Sequence, residues 1–347
     1  MSETRSGEFA WIAHLSQLAG EGAFGFQDDA ALLDVSGDAN LVVTQDTVVE
    51  GVHFLREDWP HLAGKVVGVN VSDVVAKGAR PFAMLLSLAL PDWWADSHVV
   101  HFTERLAQTA KHYGIALMGG DTTRSPGPLV ATVTMLGRPI DGYASRLGAK
   151  VGDVIAVTGP IGDAALALAL RTGRFEERAG MTASDAASKA GLDLQRFDIR
   201  RVLPAPWPFA ADLVARHANA AMDVSDGFVG DLRKICIASA KKAAVSFGEV
   251  PLSQSAANLM NAVGPEGELA ILDMALTGGD DYVVLMTLPE DRFELAKAEA
   301  DEAAGQSFFG LYRVGRIVGD LRLDGTEQPV VSETGEMPRF AKESWEH

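Results

Sequence analysis

Apolar runs and polar turns alternate along the whole chain, and the apolar spacing switches repeatedly between a strand-like and a helix-like period. Phe9, Ile12, Leu15 and Leu18 recur at helical spacing over residues 8–18, and a Gly-rich stretch at 20–25 closes that segment. Strand-like runs follow at 30–35 and 41–44. Residues 61–77 predict an amphipathic helix stopped by Gly78 and Pro81, and 84–90 a buried strand. A helix at 97–113, a strand at 115–118 and an alternating strand at 129–136 complete a mixed α/β unit. A break rich in Gly and Arg follows at 137–150. Beyond it, 153–158 reads as a strand, 159–162 as a tight turn and 163–170 as an Ala/Leu helix. Residues 171–197 are charged and Ala-rich and predict either helical material or a mobile insertion. Pro204, Pro206 and Pro208 precede a helix near 209–216. Residues 220–224 lead into Ser225-Asp226-Gly227 and a helix to about 241, with later strands at 281–288 and 312–318 and a hairpin signal at Asp324-Gly325. The expectation is an α/β (α+β) protein of two domains, residues 1–148 and 149–347.

Composition narrows the function. A chain of 347 residues exceeds the usual single core, and a hydrophobic content of 47% supplies two. The net charge of -17 argues against nucleic-acid partners, which bind to clustered Lys and Arg, and it repels polyphosphates unless they arrive with cations. The single cysteine, Cys236, excludes an internal disulfide and a Cys-based zinc site; its apolar neighbours place it in a core. No apolar run is long enough for a membrane span. The N-terminus, with Glu3 and Glu8 beside Arg5, lacks a signal-peptide pattern, so the expected location is cytoplasmic, with no membrane partner.

The candidate chemistry lies in aspartates gathered in short motifs: Gln27-Asp28-Asp29-Ala30, Thr44-Gln45-Asp46-Thr47, Asn70-Val71-Ser72-Asp73, Gly119-Gly120-Asp121-Thr122 and Asp223-Val224-Ser225-Asp226-Gly227. Two bare carboxylates ~4 Å apart repel by about 4 kcal/mol at an effective dielectric of 20, so clustered ones need a cation. Oxygen-only donors suit magnesium, which prefers one or two carboxylates together with substrate phosphates. On the 61–77 helix, Asn70, Asp73 and Lys77 share one face, and the plain alternative to metal binding is a surface Asp73–Lys77 pair. Gly119 and Gly120 would let a backbone approach a phosphate, or they end a strand in an ordinary turn. Asp226 either binds metal or caps the next helix, whose start would itself favour a phosphate. The repeated Val-Ser-Asp unit, at 71–73 and 224–226, points to a site between two halves.

Other features carry less. The Gly159–Gly162 turn reads first as an ordinary strand-to-helix connection. His53, soon after Asp46, is a candidate ligand contact. His98 and His101 have the spacing of a metal pair but no third ligand, and read as a solvated face. No Walker A loop, kinase catalytic loop or Gly-x-Ser-x-Gly elbow is present.

Taken in order, Glu50-Gly51-Val52-His53-Phe54, Asn70-Val71-Ser72-Asp73 with Gly78-Ala79, Gly119 to Arg124, Asp223 to Gly227 and Gly278-Gly279-Asp280-Asp281-Tyr282 resemble the thiamine-monophosphate kinase family. The wider superfamily includes aminoimidazole ribonucleotide synthetase and selenophosphate synthetase. The likeness runs from Gly7-Glu8-Phe9 to the Trp345 tail. It implies a two-domain aminoimidazole ribonucleotide synthetase-like fold: an N-terminal mixed-sheet domain (1–148) that binds ATP and magnesium and pairs with its twin in a homodimer, and a C-terminal α/β domain (149–347). The implied reaction is phosphorylation of thiamine monophosphate by ATP, giving thiamine diphosphate and ADP. By the same resemblance Asp29, Thr44, Asp46, Asp73, Asp121, Asp223 and Asp226 would hold several Mg2+ ions. Gly120, Asp121, Arg146 and Ser225 would contact ATP, while His53, Asp280 and Trp345 would contact thiamine monophosphate. Direct metal-assisted transfer needs no catalytic acid or base. The chain departs from the family pattern at Gln27 (usually Gly), at Gln45 (a metal-contacting Thr) and at Asp280 (usually Glu, one methylene longer). Competing readings are another acceptor within the superfamily, or a module that binds ATP and magnesium without turnover. Selenophosphate synthesis is disfavoured by the absence of Cys from the first half, and a hydrogenase-maturation role by the Trp345-Glu346-His347 ending.

Overall fold

The structure is a computed structural model that describes residues 27–36, 39–305 and 307–334. The expected helix at 8–18 and Trp345 lie outside them. The first half forms β1 (Ala31–Ser36), β2 (Ala39–Val49), α1 (Leu62–Ala76), β3 (Ala79–Leu90), α2 (Asp96–Tyr113), β4 (Ala116–Arg124) and β5 (Val130–Pro139). Its five strands make one mixed sheet in the order β1-β2-β5-β3-β4, antiparallel except for the parallel pair β3 and β4.

The second half begins with β6 (Val154–Val157) and four helices: α3 (Asp163–Thr172), α4 (Arg174–Ala179), α5 (Ala183–Ala190) and α6 (Leu194–Val202). It continues through α7 (Ala210–His217), β7 (Ala220–Asp223), α8 (Phe228–Ser239), β8 (Lys241–Val245), α9 (Gln254–Val263) and α10 (Pro265–Thr277). It closes with β9 (Val284–Leu288), α11 (Glu290–Ala304), β10 (Tyr312–Asp320) and β11 (Val330–Ser332). Six strands form a second mixed sheet, β11-β8-β10-β6-β9-β7. The expected two-unit mixed α/β architecture is present.

Several local expectations are corrected. The 61–77 helix is not amphipathic: every residue of α1 is buried, because it is wedged against β2, β3 and β5 on one side and α7, β7 and β9 on the other. A helix covered all round needs no polar face for water, so Lys65, Asn70 and Asp73 find their partners on neighbouring elements, in Asp280, the Asp46 amide and Thr44. The helix expected to run to about 241 ends at Ser239, capped by Ala240 in the left-handed region (φ 51°), and Lys241 already starts a strand. Asp324-Gly325 does form a turn, but β10 and β11 do not pair, since β8 lies between them. Residues 171–197 are helical and bury Phe175, Ala186 and Phe197 in a core of their own with α3, α9 and α10. His98 and His101 are not a solvated face: His98 packs edge-on to Trp59 at a centroid distance of 4.4 Å, and His101 Nε2 lies 3.1 Å from the Pro60 carbonyl. Cys236 is fully buried as expected, and burial pushes its thiol up to about 12.

Candidate active site

β2 alternates: Val42, Thr44 and Val48 point inward to α1 while Gln45 and Thr47 face outward, where Gln45 Oε1 accepts from the Thr134 hydroxyl at 2.7 Å. The polar stripe of α1 meets the inward face. Asn70 Oδ1 accepts from the Asp46 amide at 3.0 Å and its Nδ2 donates to the Val66 carbonyl at 2.8 Å. One turn on, Asp73 Oδ2 accepts from the Thr44 hydroxyl at 2.5 Å. Lys77 is fully buried and bridges Asp28 Oδ1 (2.6 Å) and Asp29 Oδ2 (2.7 Å). The surface-pair alternative for Asp73 and Lys77 is therefore overturned.

The second half supplies the opposite wall. β7 ends at Asp223, fully out of water, and carboxylate oxygens of Asp29, Asp73 and Asp223 lie within 4.8 Å of one another. Asp226 is not a helix cap: α8 starts after Gly227 (φ 111°), and buried Asp231 accepts from the amides of Ser225 and Asp226, each at 3.0 Å. Those two amides are thus already engaged. Lys234 ties Asp226 to Asp231. Arg146 pairs with Asp29 from the short helical turn Arg146–Gly148.

Between the walls lies a cavity of about 760 Å³, bordered by Asp29, Thr44, Asp46, His53, Asp73, Arg146, Asp223, Ser225, Asp226 and Asp280. His53 Nδ1 accepts from the Val49 amide at 3.1 Å. At the far end the 278–282 loop packs backbone to backbone on the β7–α8 turn: the Asp280 amide donates to the Ser225 carbonyl at 2.8 Å, and a Cβ on Gly279 would overlap that same oxygen. Asp280 and Tyr282 take positive φ (71° and 52°), a conformation costly for side-chain-bearing residues and typical of functional loops. The Asp280 carboxylate is held by Lys65 Nζ at 2.9 Å and by the Tyr282 hydroxyl at 2.8 Å. The Gly159–Gly162 turn is an ordinary connection; its Gly162 amide donates to Asp281 Oδ1 at 2.7 Å.

Two expected residues stand apart. Gly120 and Asp121 do not end their strand; β4 runs on through them to Arg124, because Gly120 lies so close to the Leu86 backbone that a Cβ would overlap its carbonyl. β4 is the sheet edge, three strand spacings from β2, on the order of 14 Å. Lys65, Asp231 and Lys234 were missed from sequence. Asp231 is an acidic first-turn residue of α8 and stands three before Lys234, so that pair's spacing carried a signal, whereas Lys65, five residues before Asn70, falls off that residue's helix face and carried none.

Electrostatically the cleft is a carboxylate cluster short of positive charge. Burial, then the Asp226 charge, pushes Asp46 up to about 6. Burial also pushes Asp223 up to about 7, helped by Asp231 and Asp46. Asp73 is raised well above the usual range by burial and by its neighbours Asp46 and Asp223. These hard oxygen donors, converging on a solvent-connected cleft, fit a magnesium ion.

A two-domain α/β architecture with an acidic cleft between its halves defines the class: residues 27–138 match the family model of the AIR synthase related protein N-terminal domain, and residues 150–326 that of the C-terminal domain. The thiamine-monophosphate kinase of Escherichia coli K12 is 35% identical over 91% of both chains. A solved structure, AaThiL complexed with AMPPCP and TMP, from Aquifex aeolicus, aligns at TM-score 0.78 with 25% identity over 99% of both chains. The thiamine-monophosphate kinase of Stenotrophomonas maltophilia K279a aligns at TM-score 0.71 with 32% identity, covering 95% of this chain and 96% of that one. The chain belongs to the thiamine-monophosphate kinase family.

Proposed function

We propose that the protein transfers the γ-phosphoryl group of ATP to the phosphate of thiamine monophosphate, giving thiamine diphosphate and ADP with Mg2+. The observation that carries this is the convergence of Asp29, Asp73 and Asp223 in a cleft between the halves of a chain from this family. Two anionic phosphates must meet, and bound magnesium would neutralise and align them. Asp29, Thr44, Asp46, Asp73, Asp223 and Asp226 hold that metal in this reading. Arg146, which lines the cleft, exchanges Asp29 for an ATP phosphate, and Ser225 contacts the nucleotide. His53 and Asp280 face thiamine monophosphate, whose thiazolium is cationic; Lys65 and Tyr282 fix the Asp280 carboxylate and compensate in part for its shortness. Trp345 is assigned to the same ligand by resemblance. The attacking phosphate oxygen is already ionised at neutral pH, so the chemistry needs no general base.

Gly120 and Asp121 reach such a site in a homodimer, where a second copy brings its exposed β4 against the cleft. Leu117 and Met118, 50% and 68% exposed on that strand, provide the apolar contact. Among the described residues no helix is long and apolar enough to cross a membrane, and we place the reaction in the cytoplasm.

The test is incubation with ATP, thiamine monophosphate and Mg2+, followed by separation of the thiamine phosphates, with EDTA as control. Metal-dependent thiamine diphosphate is expected. ATP hydrolysis or binding without that product would move the assignment to another acceptor or to a binding module.

A further inference from the structure

Lys77 caps the C-terminal end of α1 and carries one of the most deeply buried cations among the described residues. Its ammonium has three oxygen partners: Asp28 Oδ1, Asp29 Oδ2 and the Ala221 carbonyl, the last at 2.7 Å. Arg146 also meets Asp29, yet it borders the cleft, whereas Lys77 does not. The ammonium therefore stands behind the carboxylates, where neither nucleotide nor solvent reaches it. Asp28, Asp29, Asp46, Asp73, Asp223, Asp226 and Asp231 gather their carboxylates here, and among the described residues Lys77, Arg146 and Lys234 answer them, so the cluster stays short of positive charge.

We propose that Lys77 is a built-in counter-ion of this cluster, standing where a further divalent cation would otherwise sit against Asp28 and Asp29, and that it thereby sets how tightly the cleft holds metal. The inference rests on the reading of the cluster as a metal site. An ammonium anchored to the backbone by the Ala221 carbonyl cannot leave with product or exchange with the medium. It holds Asp29 in place through a catalytic cycle and weakens the hold on incoming ions by like-charge repulsion.

Calorimetric titration of the nucleotide-free full chain with Mn2+ tests this without reference to turnover, in wild type, Lys77→Met, Lys77→Gln and Lys77→Arg. Lys77→Gln keeps a donor for Ala221 and Lys77→Arg keeps the charge. Both neutral variants are expected to bind Mn2+ at least ~10-fold more tightly than wild type, and Lys77→Arg to stay within about threefold of it. Should a neutral variant be unfolded without metal, Mn2+ is expected to restore its circular dichroism. Neutral variants that bind Mn2+ as wild type does, or that stay unfolded in millimolar Mn2+, overturn the proposal. Wild type that takes up no Mn2+ overturns the metal reading beneath it.

Discussion

Asp223 ends a short strand, is wholly buried and shares its space with Asp29 and Asp73, so its charge is worth having only when a cation is present. Without metal its carboxyl is pushed up to about 7 and that of Asp46 to about 6. Both lie above the usual carboxyl value. Their protonation therefore favours the folded state below about pH 4, and that stabilisation is lost as pH rises through 6 to 7. Asp223→Asn removes this liability. In EDTA at pH 8 its Tm should exceed that of wild type by at least about 3 °C, with the gap closing toward pH 5, while Mg2+ raises the Tm of wild type alone. Identical melting curves with and without metal would show that the carboxylate is not a metal ligand. The aspartates themselves were legible in the sequence because each lies in a short motif. Of the lysines that answer them, Lys77 was legible on the face it shares with Asn70 and Asp73, though as a surface partner, while Lys65 looks like any solvent-facing residue until α1 is seen to be covered on every side.

At the scale of elements, the site depends on how closely two loops approach. The 278–282 loop rests on the β7–α8 turn through glycines, and Gly279→Ala would drive a methyl group into the Ser225 carbonyl. The expected cost is about 1–3 kcal/mol in urea unfolding, together with weakened binding of both ATP and thiamine monophosphate, because the loop carries Asp280 and the turn carries Ser225. A stable variant with intact binding of both would show that the two segments do not position each other. Element identity was largely readable: β5, β6, α2 and α7 fall where their apolar periods place them. Those that were overlooked are β8, the helices α9 and α10 before β9, α11 after it, and the three-residue β11, segments of mixed composition. The extent of β2 and β4 was misjudged because their polar ends, Gln45 to Thr47 and Gly119 to Arg124, are paired in the sheet rather than turned away from it.

For the whole molecule, the long exposed edge at β4 is a liability unless something covers it. A dimer through this edge predicts that Met118→Lys becomes monomeric in sedimentation analysis and loses most turnover while keeping its melting cooperativity. A wild type that sediments as a monomer at micromolar concentration would remove Gly120 and Asp121 from the site. The sequence by itself determined the two mixed α/β units, the oxygen-donor chemistry and the family, because apolar period and short motif order are local properties of the chain. Only the tertiary structure decided which aspartates meet. Asp29, Asp73 and Asp223 come from a strand approach, a buried helix and a strand end far apart in the chain. Their convergence, the counter-ions behind them and the exclusion of Asp121 from the single-chain cleft follow from how α1 is wedged between two sheets, and packing of that kind has no local signature.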